Sequence, residues 1–151
     1  MWLLKKNNIL SLLGVLVILF LFVLIRHFQS DLFYDPLIVF YKSNFQNAML
    51  PEIDLGYFVL HTIFRFLINT FLSFLVIYIA FKEMKFIKVS FIIYGVVFLI
   101  TITALVVVIN IYEPRFAMLL FYIRRFLIQP FLLLLVLPAF YYHKKLTKLK
   151  V

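Results

Sequence analysis

There is no cysteine among the 151 residues. That excludes disulfides, thiolate metal sites and a cysteine nucleophile together. It leaves the redox compartment open, because no thiol is there to be oxidised. Glycine is scarce as well, with three residues, too few for a glycine-rich loop that cradles phosphate. No serine or threonine lies in a recognisable nucleophile motif. Acids number only six, and none falls inside a long apolar run. A proton-coupled exporter needs an intramembrane carboxylate or an equivalent relay, so that class is disfavoured. Helices broken at repeated positions, as transporters use, are missing too: Pro130 has no counterpart in another run.

What is abundant is hydrocarbon. Hydrophobic residues make up 66% of the chain and aromatics 20%, with 20 phenylalanines. Mean hydropathy is +1.12. A soluble domain is about 45–50% apolar, and one core of this size cannot hide the excess. The bilayer must therefore solvate most of the surface. The net charge of +9 would suit nucleic acid, but its distribution does not. Nine of the 15 basic residues are lysines in three groups: Lys5 and Lys6; Lys82, Lys85 and Lys88; and Lys144, Lys145, Lys148 and Lys150. Each group abuts an apolar run, which is the juxtamembrane pattern of the positive-inside rule. No nucleic-acid partner is expected; membrane lipids are.

A hydrocarbon layer about 30 Å thick takes about 20 helical residues to cross. Four runs meet or approach that length: 9–25, 57–81, 89–112 and 116–142. The chain is thus expected to be all-α, a single integral membrane domain over residues 1–151 with four transmembrane helices. The first run has a basic start, but no small-x-small cleavage site follows Ile25. An uncleaved anchor is expected there. With four spans the three lysine groups fall on one side, accompanied by a single acid, Glu83. The six other bases and five other acids lie in the spans or on the opposite side. Both termini are therefore expected in the cytoplasm. The loop 26–56 and a tight turn at "NIYEPR" belong on the outer side.

The fourth run raises the sharpest question, because "FYIRRFLIQPF" carries two arginines, Gln129 and Pro130 in an otherwise apolar stretch. Its 27 residues would span about 40 Å, more than the layer is thick. Tyr141, Tyr142 and His143 should anchor the inner end, and counting back about 20 residues puts the outer boundary near Ile123. Arg124 and Arg125 then lie at the outer interface. The same count on the second run puts Arg65 just below its outer boundary and Asn69 a turn deeper. Thr62, Arg65, Asn69 and Ser73 share a helical stripe about 80° wide. Arg125 and Gln129 share a face as well, while Arg124 points about 100° away; for Arg124 and Arg115, snorkelling or contact with lipid phosphate stands open beside pairing.

A guanidinium at that depth is costly unless paired. The loop offers Asp31, Asp35, Glu52 and Asp54. It also contains "LFYDPLIVFY", too apolar to lie in water. We expect the loop to fold back between Pro36 and Pro51 and to pair its acids with Arg65 and Arg125. Arg65, Asn69, Arg125 and Gln129 are the candidate functional cluster. The histidines show no ligand spacing with another His, Asp or Glu, so neither a metal nor another cofactor is expected. His61, one turn before Arg65, is the one candidate general base.

The segments "RHFQSDLFYDPLIVFYK", "FRFLINTFLSFLVIYIAFK" and "YIRRFLIQPFLLLLVLPAFYY" resemble the exosortase F system-associated membrane proteins across essentially the whole chain. That resemblance implies an accessory role in a Gram-negative inner membrane, beside a multi-span cysteine transpeptidase that cleaves sorting tails of exported proteins on the periplasmic side. A chain without cysteine cannot be that transpeptidase. The family has no established catalytic residues to carry over. Two functions remain open: a non-enzymatic partner of an exosortase, and a membrane enzyme acting on a lipid or lipid-linked group at the periplasmic face, with arginines on phosphate and His61 as base.

Overall fold

The computed structural model describes residues 6–43 and 45–149, in which there are helices, turns and loops but no strand. Lys5 and Lys150 of the lysine groups lie outside the described residues. The first run is α1 (Lys6–His27). Two short helices, α2 (Gln29–Leu32) and α3 (Leu37–Lys42), and a 3₁₀ turn (Phe45–Asn47) make up the loop. The next runs are α4 (Leu55–Phe81) and α5 (Met84–Asn110). A 3₁₀ turn at Pro114–Phe116 then leads into α6 (Ala117–Ile128) and α7 (Phe131–Leu149).

Three of these, Ile9–His27, Leu55–Phe81 and Met84–Asn110, are long and apolar enough to cross a membrane. Inside a bilayer such a helix satisfies its backbone hydrogen bonds internally. The fourth span differs from the expected continuous run. It is two helices, bent by 61°, that are long and apolar enough for a crossing only when taken as a pair, the shape of a broken span or of a re-entrant loop. The cause is Pro130, which has no N–H and would clash with the preceding turn of a continued helix. It also forces the residue before it out of helical geometry: Gln129 is extended, at φ −117° and ψ 148°. Pro138, by contrast, is accommodated inside α7.

α4 is the central helix. Of its most apolar segment 39% is buried within the protein, against 17% for α5 and 6% for α1. It packs on α1, α5 and α6, and α5 packs on α6 in turn. Phe66 of α4 stacks on Phe98 of α5 at 4.6 Å between ring centres, and Leu105 and Leu120 are fully buried. Asp54 starts α4 by accepting a hydrogen bond from the Tyr57 amide at 3.0 Å, which satisfies one of the free donors of the first turn.

At the lysine end, α4 and α5 are joined by Lys82 and Glu83 alone. Lys82 takes the left-handed conformation (φ 55°), which costs a non-glycine residue about 1–2 kcal/mol. Phe81, Phe86 and Phe140 pack together beneath the turn. Glu83 pairs with Lys144 and with Lys85, each at 2.7 Å, and Lys144 also donates to the Phe81 carbonyl at 3.0 Å. Hydrogen bonds from Lys144 and then Lys85 hold the Glu83 carboxyl at about 2, below the ordinary glutamate range. The folded state therefore favours ionised Glu83. Its contribution is complete above the unfolded value of about 4.3 and is lost as pH falls toward 2. The site is only half-buried, so the effect should be modest and salt-sensitive. Glu83→Gln should reduce the drop in thermal midpoint between neutral pH and pH 3 in detergent. An identical acid response in variant and parent would remove this role.

Candidate functional site

The loop between α1 and α4 folds back onto the bundle as expected, and its apolar residues explain why. Leu37 is fully buried, with Phe33 and Phe40 nearly so. Pro36 caps the start of α3, and the chain after Ala48 runs without helix through Pro51 to Asp54. Three hydrogen bonds from tyrosines fasten the loop to the rest of the chain. The Tyr34 amide donates to His61 Nδ1 (3.2 Å), the Tyr41 hydroxyl to the Ala117 carbonyl (3.1 Å), and the Tyr112 hydroxyl to the Ala48 carbonyl (3.3 Å). Burial pushes the Tyr41 hydroxyl pKa up, so it remains a donor throughout the accessible pH range.

Asp35 is the centre of the site. Its carboxylate accepts from Arg124 Nε at 3.1 Å on each oxygen and from Arg124 Nη2, the forked geometry that guanidinium and carboxylate share. Arg65 Nη1 approaches the same carboxylate at 3.6 Å. The Asp35 side chain is 5% exposed, that of Arg65 4% and that of Arg124 8%. At such separations an ion pair is worth about 1 kcal/mol in water but about 4 kcal/mol at an effective dielectric of 20. Desolvation opposes that gain, so the pair holds only with further bonds around it. Gln29 supplies one, accepting from Arg65 Nη2 at 2.6 Å. The Phe33 ring lies 5.2 Å from the Arg65 guanidinium and the Tyr41 ring 5.9 Å from that of Arg124.

One expected pairing is corrected here. The loop carboxylate meets Arg65 and Arg124, not Arg65 and Arg125. Arg124 is buried instead of snorkelling. α6 buries Ala117, Leu120, Arg124, Leu127 and Ile128, a stripe that passes through Arg124 and leaves Arg125 about 100° away. Arg125 Nε donates to Gln129 Oε1 at 3.0 Å, and its guanidinium lies between Phe121 and Phe131. The other loop acids do not join. Asp31 and Glu52 are exposed and make no ion pair among the described residues, and Asp54 is the α4 cap.

The α4 stripe is buried at all four positions, Thr62, Arg65, Asn69 and Ser73. Thr62 and Ser73 bond back to their own helix, to the Phe58 and Asn69 carbonyls. Arg65 reaches the loop, and Asn69 reaches α6, donating to the Ile128 carbonyl at 2.9 Å. That carbonyl is left without a helical donor by the break at Gln129 and Pro130, so Asn69 caps the end of α6. The contact places the two arginine-amide pairs at one depth.

Beside the cluster lies a cleft of about 590 Å³. Arg26, Lys42, Arg65, Arg124 and Arg125 all line it. Its apolar wall includes Phe22 and Val23 of α1 and Phe131 and Leu134 of α7. Gln29, Tyr41 and Lys42 were not singled out by the sequence. Nothing in their spacing marks them, because they reach the site through the fold of the loop. Among the described residues no three His, Asp or Glu side chains gather to hold a metal ion. Compared with protein-family models, curated proteins and solved structures, the chain has no match.

Proposed function

We propose that this chain is a non-enzymatic accessory protein that holds its loop as a rigid platform for a multi-span membrane partner. The observation that supports this is the burial of Asp35 between Arg65 and Arg124. A buried ion cluster adds little net stability over apolar packing, but it can fix one geometry of the segment that carries it. The segment thus held presents Phe28, Leu32, Val39 and Met49 on its exposed side, Val39 at 74% and Met49 at 80% exposure. Such apolar side chains at a membrane boundary suit a second membrane protein. By the resemblance above, that partner is an exosortase-type transpeptidase in the inner membrane of a Gram-negative bacterium. The lysine end then faces the cytoplasm and the loop the periplasm.

The enzymatic alternative loses its base. His61 Nδ1 already accepts from the Tyr34 amide, so the neutral ring carries its proton on Nε2 and has no free lone pair to offer. Isolation of the protein from native membranes in mild detergent is the test. An exosortase should come with it, and Val39→Asp should abolish that capture at an unchanged level of protein. Capture that survives Val39→Asp, or recovery of the chain with no multi-span partner, would defeat the proposal.

A further inference from the structure

The cleft beside Asp35 carries more positive charge than its own residues can balance. Five cations line it, and among the described residues the one carboxylate paired with any of them is Asp35, shared between Arg65 and Arg124. The Arg26 and Lys42 side chains have neither an ion pair nor a hydrogen bond among the described residues, and the Arg125 guanidinium donates only to the neutral Gln129 amide. Arg65 is 3% exposed, yet its Nε and Nη1 make no hydrogen bond. Buried guanidinium donors are rarely left without an acceptor. A group that fits here is anionic and has several acceptor oxygens, as a phosphate does.

The walls say how such a group arrives. α1 packs on α4 and makes no comparable contact with α7, so the cleft is open between them. Val23 and Leu134, on the two sides of that opening, are 62% and 65% exposed and apolar, which at membrane depth means that they face hydrocarbon. The cleft therefore has a cationic floor and a greasy lateral door. Its volume is in the range of sites that enclose most of a small ligand.

We propose that this cleft binds the phosphate headgroup of an anionic lipid among Arg26, Lys42, Arg65 and Arg125, with the lipid's chain lying in the opening between α1 and α7. Asp35 is 5% exposed, hydrogen-bonded by Arg124 and ion-paired with Arg65, and it does not line the cleft, so it is not presented to a headgroup cation. Headgroups with a net negative charge should thus be preferred over zwitterionic ones. The site is independent of the exosortase partner: a chain that captures no transpeptidase would still bind lipid, and the reverse.

The test is thermal unfolding of the purified full chain in dodecylmaltoside with added dioctanoyl lipids. Dioctanoyl phosphatidic acid should raise the midpoint saturably, while dioctanoyl phosphatidylcholine, dioctanoylglycerol and inorganic phosphate at equal concentration should not. Arg26→Gln with Lys42→Gln, both at exposed positions, should weaken half-saturation at least tenfold; Arg115→Gln, outside the cleft, should leave it unchanged. Equal shifts from phosphatidylcholine or dioctanoylglycerol would overturn the charge preference. An equal shift from inorganic phosphate would reduce the site to one for a free anion and overturn the lipid assignment. No shift from phosphatidic acid, or an unchanged curve in the double variant, would overturn the site itself. If the double variant does not fold, the lipid series on the parent protein decides, together with native mass spectrometry for a retained anionic lipid.

Discussion

Asp35→Asn should be the most damaging single substitution in the loop, lowering unfolding stability by about 3–5 kcal/mol, the range for removing one partner of a buried pair. The size follows from what is left behind. Arg65 and Arg124, both nearly inaccessible, would face each other without a counter-charge, and the amide could not accept in the fork that Arg124 makes. The loss should also be local. The segment from Phe28 to Asp54 is held by Asp35 and three tyrosine contacts, so it should become accessible to protease before the helices unfold. Asp31→Asn is the control, an exposed acid with no ion pair among the described residues, and should change stability by no more than about 0.5 kcal/mol. Denaturant unfolding in detergent and limited proteolysis would measure both. Equal behaviour of the two variants would show that the cluster holds nothing.

Arg124→Gln and Arg125→Gln should differ sharply although the residues are adjacent. Arg124 gives charge-assisted hydrogen bonds to both Asp35 oxygens, and its loss should cost about 2–3 kcal/mol. The cost stops short of the Asp35 figure because Arg65 remains beside the carboxylate and one repelling cation has gone. Arg125 holds a neutral amide and two ring faces, and its loss should cost about 1 kcal/mol or less. Combining Asp35→Asn with Arg124→Gln should cost clearly less than the two singly, as is general for side chains in one network. The reverse order, with Arg125 the sensitive position, would restore the pairing expected from helical spacing and contradict the geometry seen here.

That contrast marks where linear reading stops. The arginine-amide pairs at 65/69 and 125/129 were visible because charged and amide side chains stand out in apolar runs. So was their common depth, since counting from the lysine end needs only helix rise and bilayer thickness. The fold-back of the loop was visible in "LFYDPLIVFY", whose burial needs no partner to be specified. Gln29 was not visible. It is one polar residue among several after α1, and only the turn into α2 brings its side chain to Arg65.

Composition, run lengths and lysine placement are one-dimensional properties. They were enough to determine an all-helical membrane protein, the approximate limits of its long helices and which groups share a depth. The facing of α6 was decided by tertiary structure alone. With apolar residues on all sides, periodicity holds no contrast between core and lipid, so it cannot say whether Arg124 or Arg125 looks inward. The break at Pro130 re-aims α6 independently of α7, packing of Leu120 and Leu127 settles its rotation, and one loop carboxylate then meets the arginine that this rotation delivers.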